Sequence, residues 1–94
     1  MEKNMLTTEV TIRNTTGFHI RPAQLFTEQA AKFQSQVNIL LKDQGVKVDG
    51  KSILGLMTLG LAQGSVIEIS VDGPDEEKAL ESLVQLVEGG FGEV

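Results

Sequence analysis

"TTEVTIRNTTGFHIRPAQLF", residues 7 to 26, changes its hydrophobic period partway through. Over "TTEVTIR" (7 to 13) the pattern alternates. Thr8, Val10 and Ile12 share one face and Thr7, Glu9, Thr11 and Arg13 the other, the period of a half-buried strand. "NTTG" then reads as a loop. From about Pro22 the apolar residues Ala23, Phe26, Ala30 and Phe33 recur at spacings of three and four, which predicts an amphipathic helix. A strand that is wet on one face belongs to a sheet whose other face is covered, here by helices.

The same two periods continue downstream. "QVNILLK" (36 to 42) alternates through Val37, Ile39 and Leu41, "DQG" supplies a turn, and "VKV" returns as a short partner strand. "GKSILGLMTLG" (50 to 60) is apolar, flanked by glycines and opened by a serine, which predicts a short helix with Ser52 as its N-cap. "SVIEISV" (65 to 71) is a fourth strand, with Ile67, Ile69 and Val71 opposite Val66, Glu68 and Ser70. After the turn "DGP", "DEEKALESLVQLVEGG" (75 to 90) has acidic residues in its first turn and an apolar stripe at Leu80, Leu83, Val84 and Val87. Gly89, Gly90 and Gly92 read as a helix stop and a frayed tail. Asp72, Asp75, Glu76 and Glu77 are read as turn and first-turn residues that complement the helix dipole, not as a metal cluster.

The order βαββαβα predicts an α+β open-faced β-sandwich: a four-stranded antiparallel sheet with three helices on one face. It is the split arrangement of a ferredoxin-like fold plus one more helix. At 94 residues, one domain spanning 1–94 is expected, because two would each lack a sufficient core. Four Phe with no Trp or Tyr make that core aliphatic.

Composition also narrows the function. With no cysteine and one histidine, the chain offers neither a disulfide framework nor the ligands of a zinc site, and no metal or cofactor is expected. No apolar run approaches the roughly 20 residues that span a bilayer, and "MEKNMLTTEV" lacks the apolar stretch of a signal peptide. A soluble cytoplasmic protein without membrane insertion, monomeric, is the expectation. A net charge of -5 argues against nucleic acid as a partner.

The only histidine, His19, stands at or just before the cap of the first helix, since Pro22 suits a first helical turn, where its missing N–H costs nothing. Amide donors and the positive end of the helix dipole favour an uncharged imidazole there and stabilise an anion placed on it. Arg21 adds a guanidinium that can pair with phosphoryl oxygens, and Gly17 lets a partner approach closely. This grouping suits transfer of phosphate on and off a histidine. It is also what a solvated histidine beside a helix start looks like, the commoner case, and the residues alone leave both readings open.

"TGFHIRPAQLF" (16 to 26) resembles the active-site stretch of the HPr family, the histidine-containing phosphocarriers of the bacterial sugar phosphotransferase system. "KSILGLMTLGLAQGS" (51 to 65) resembles the family's second signature. The resemblance implies that His19 is the phosphoacceptor through Nδ1 and that Arg21 steadies the phosphoryl group. Phosphate would come from Enzyme I, charged by phosphoenolpyruvate, and leave to the A domain of a sugar permease (Enzyme IIA), so that the chain is a carrier and not an enzyme. It also implies that Ser52 is a regulatory site for an HPr kinase/phosphorylase, and that Gly17, Ile20, Ile53, Leu54 and Met57 belong to a partner-binding surface around the histidine. Ile20 is bulkier than the small residue usual after the histidine. "GPDEEKAL" and "GGFGEV" resemble the nitrogen-related branch of the family, so a nitrogen-branch or regulatory paralogue that acts by binding target proteins is the alternative. An α+β binding domain with an inert His19 is a third reading.

Overall fold

In a computed structural model, which describes residues 6–17, 19–41 and 44–92, the alternating segments form a four-stranded antiparallel sheet. The elements run β1 (Leu6–Thr11), α1 (Ile20–Ala30), β2 (Gln36–Leu41), β3 (Val46–Asp49), α2 (Ile53–Thr58), β4 (Val66–Asp72) and α3 (Glu76–Glu88). The strand order is β1-β4-β2-β3. Each crossover is split by one strand: β4 lies between β1 and β2, and β2 lies between β3 and β4. Lys42, the last residue of the expected second strand, and Asp43, the first of the expected turn, lie outside the described residues, as do residues 1–5.

Register brings the apolar faces together. Val10 pairs with Ile67, and Ile39 pairs with both Ile69 and Val48. Val10, Ile12, Val37, Ile39, Ile67, Ile69 and Val71 are buried on the helix side, against Phe26 of α1, Leu56 of α2, and Leu83 and Val87 of α3. Each such side chain removed from water contributes about 1.5–3 kcal/mol. The opposite face carries Thr7, Glu9, Glu68, Asn38 and Lys47. Only at its centre, where Ser70 pairs with Thr7 and Asn38, does that face bury a residue.

Three local expectations change. α1 starts two residues before Pro22, and it ends at Ala30. Phe33 therefore packs against the core from the turn after the helix, where its amide donates to the Ala30 carbonyl at 3.2 Å. Asp75 occupies the N-cap position of α3 but does not cap it. Its carboxylate accepts from the Gln34 amide at 2.9 Å, the Ser35 amide at 3.0 Å and the Ser35 hydroxyl, tying α3 to the α1–β2 connection. The Ser35 hydroxyl foremost, and then these amides, hold the carboxyl below its ordinary value. Glu76 supplies the turn, accepting from the Gly73 amide at 3.0 Å. Finally, the segment after Gly89 is not frayed up to Gly92: Gly90 and Phe91 take left-handed angles, φ 67° and 55°, and turn the Phe91 ring into the core. A Phe accepts that conformation because its burial exceeds the roughly 1–2 kcal/mol that left-handed angles cost.

Candidate functional site: the mouth of the first helix

His19 is the N-cap of α1, with extended backbone angles of φ -81° and ψ -173°. Its carbonyl accepts the first helical hydrogen bond, from the Ala23 amide at 2.9 Å. The His19 side chain itself makes no capping hydrogen bond to this helix. The Ile20 and Arg21 amides have by position no intrahelical acceptor, and Pro22 contributes no donor. His19, Ile20 and Arg21 are exposed while Pro22 and Ala23 are buried, so the helix start is anchored from below and open above.

The loop that delivers His19 is held from two sides. Asn14 is fully buried, and its Nδ2 donates to the Gly17 carbonyl at 2.8 Å and to Thr16 Oγ1 at 3.0 Å. The α2–β4 connection closes against the same segment: the Gly64 amide donates to the Ile12 carbonyl at 2.7 Å, the Ile12 amide to the Ser65 carbonyl at 2.8 Å, and Gln63 Nε2 to the Arg13 carbonyl at 2.9 Å. Gly17 lies between them with φ 63°, and a Cβ there would collide with the Leu61 carbonyl oxygen and sit 2.9 Å from Ala62 Cα. The close approach expected at Gly17 is thus made by the chain's own backbone, and Gly17 is buried where the resemblance implied a partner-facing residue.

The second expected site lies on α2, which packs on α1. Ser52 is its N-cap and accepts from the Gly55 amide at 3.1 Å. Leu56 is the buried residue of this helix. Leu54 is 73% exposed, and Ile53, at 37%, and Met57, at 38%, flank it on the outer face. With Ile20 at 56%, the two helix starts present four exposed apolar side chains. Two clefts, one bordered by Glu9, Leu40 and Leu61 and the other by Asp72 and Lys78, leave out both His19 and Arg21. The histidine is on open surface, where a second macromolecule can reach it. Among the described residues no group of three or more His, Asp and Glu is arranged to hold a metal ion. None of their helices is long and apolar enough to cross a membrane.

Asn14 and the Leu61–Ala62 backbone are site components that the sequence reading missed. The signal for Asn14 was the Asn two and three residues before a Thr and a Gly, a pattern of side-chain-closed turns. Nothing local announces Leu61.

Comparison with known proteins agrees with this geometry. Residues 6–89 match the family model PTS-HPr, described as the PTS HPr component phosphorylation site. The chain is 44% identical over 89 residues to the phosphocarrier protein HPr of Neisseria meningitidis, covering 95% of this chain and 98% of that one. It is 39% identical over 84 residues to the HPr-like protein Crh of Halalkalibacterium halodurans, covering 89% and 98%. A crystal structure of HPr from Thermoanaerobacter tengcongensis superposes with a TM-score of 0.89 at 45% identity, over 95% of this chain and 98% of that one. A match this long, to sequences and structures alike, leaves one conclusion: the chain belongs to the HPr family of phosphocarrier proteins of the phosphotransferase system.

Proposed function

We propose that this chain accepts a phosphoryl group on Nδ1 of His19 from Enzyme I, itself charged by phosphoenolpyruvate, and passes it in the cytoplasm to the A domain of a sugar permease. The observation that carries the reading is the open helix mouth: an exposed His19 at the N-cap of α1, its own side chain making no capping hydrogen bond. In the acceptance step the Nδ1 lone pair attacks phosphorus, the P–N bond forms, and the bond from phosphorus to Enzyme I breaks. Charge on the equatorial oxygens is met by the Arg21 guanidinium and by the amides at the start of α1. Neither described cleft includes His19 or Arg21, so the reaction takes place on open surface. Docking of each partner closes the site, and Ile20, Ile53, Leu54 and Met57 are the apolar contacts for it.

Ser52 is the regulatory position in this reading. Phosphate on its Oγ, placed there by an HPr kinase/phosphorylase, would replace the present cap of α2 with a dianion beside the docking residues and impede Enzyme I without unfolding the helix. A second reading, a regulatory or nitrogen-branch paralogue that acts by binding target proteins, rests on the segments "GPDEEKAL" and "GGFGEV". Incubation with phosphoenolpyruvate and Enzyme I, followed by separate addition of sugar-permease A domains and of nitrogen-branch acceptors, distinguishes the two. Drainage of label to permease domains supports the carrier; drainage only to nitrogen-branch acceptors supports the paralogue, and no label at all refutes both.

A further inference from the structure

The outer face of α2 carries a chemical feature that phosphate transfer does not use. The chain has three methionines and no cysteine, tryptophan or tyrosine, and Met57 is the only sulfur among the described residues. Its side chain is 38% exposed. Residues 53 and 54 stand four and three positions before 57, so Ile53 and Leu54 lie beside Met57 on the helix, and Leu56 is buried in the core. Met57 is thus an exposed thioether-bearing residue whose neighbours are the apolar contacts proposed for partner docking.

We propose that Met57 is a reversible oxidation site that regulates docking, a proposal that rests on the phosphocarrier reading. A sulfur lone pair attacks the O–O bond of a peroxide. The S–O bond forms, the O–O bond breaks, and water leaves once the departing oxygen is protonated. The sulfur is oxidised by two electrons and the peroxide is reduced. The product replaces an apolar, flexible side chain with a polar S=O group within the exposed patch. Docking a partner then desolvates that group without a matching donor. A dithiol-dependent methionine sulfoxide reductase reverses the change, returning the thioether with one disulfide and one water. Because Leu56 is buried in the core and Met57 is exposed, oxidation alters the surface and not the fold.

The test treats the whole protein with hydrogen peroxide, locates added oxygen by peptide mapping, and measures phosphoryl acceptance from Enzyme I at varied carrier concentration. The expected result is one oxygen on Met57, a KM for the oxidised carrier raised about five- to tenfold with kcat little changed, and recovery after reductase treatment. Met57→Leu, which retains Met1 and Met5, keeps its own untreated KM after peroxide. An unchanged KM with Met57 fully converted overturns the proposal. So does failure of Met57 to oxidise where Met1 and Met5 do, or a peroxide effect that persists in Met57→Leu. Untreated protein that gains no phosphate from an active Enzyme I refutes the phosphocarrier reading itself, and with it this proposal.

Discussion

Gly17→Ala tests how the loop that carries His19 is held. At φ 63° an alanine incurs the left-handed penalty of about 1–2 kcal/mol, partly offset by about 0.4–1 kcal/mol from the stiffer unfolded chain. The added Cβ would also collide with the Leu61 carbonyl oxygen and stand 2.9 Å from Ala62 Cα. Both are backbone atoms, and that backbone is fixed by the hydrogen bonds of Gly64 and Ser65 to Ile12, so the strain resembles core overpacking at about 1–3 kcal/mol. The expected total is a loss of about 2–4 kcal/mol. Gly60→Ala is the internal control: its φ of 62° is nearly the same, but nothing lies within 4 Å of its Cβ, so only the conformational part remains, about 0.5–1 kcal/mol. Urea denaturation at constant m reads both losses, and phosphoryl acceptance should fall for Gly17→Ala as the two loops separate. Equal destabilisation by the two substitutions would refute the claim that the α2–β4 backbone braces the histidine loop.

Three further outcomes follow from the same structure. Ser52→Ala should cost about 1 kcal/mol through loss of the Gly55 cap, while Ser52→Asp should slow acceptance from Enzyme I; an unchanged transfer rate in Ser52→Asp would leave Ser52 a cap and nothing more. Leu54→Ser, at a residue 73% exposed, should leave stability within about 0.5 kcal/mol yet raise the KM with Enzyme I about five- to tenfold, as a kinetic titration would show. Asp75 has a carboxyl lowered below its unfolded value by Ser35 and Gln34, so its contribution is present above that unfolded value and is lost as pH falls through the folded one. Asp75→Asn should therefore be less stable at neutral pH and should show a shallower acid loss from about pH 4 downward, measured by thermal melts across pH.

Much of the fold was legible because its strands are wet on one face. In "SVIEISV" the period alone separates Ile67, Ile69 and Val71, now buried, from Val66 and Glu68 on the open face. Ser52 was legible as a cap because a cap is a local hydrogen bond over three residues. Asp75 was not, because its partners Gln34 and Ser35 are 41 and 40 positions away, and an acid before a helix looks the same whether it faces inward along its own helix or across to another loop. Phe91 between two glycines read as a tail, since the core site it fills is built from other segments. At the site itself, His19 and Arg21 could be read from the residues that follow them. Behind them, Asn14 holds Gly17 by a bond over three residues, a turn pattern present in the sequence, whereas the Leu61–Ala62 backbone against Gly17 is a contact between chain segments more than 40 residues apart.

The central claim is that His19 takes up the phosphoryl group. Intact mass after incubation with phosphoenolpyruvate and Enzyme I tests it most directly, in parallel on the protein and on His19→Ala, whose exposed site should leave the fold intact. The account predicts a gain of about 80 Da that survives base, disappears in mild acid and is missing from His19→Ala. No gain from an Enzyme I active on another carrier, or a gain retained in His19→Ala, would contradict it.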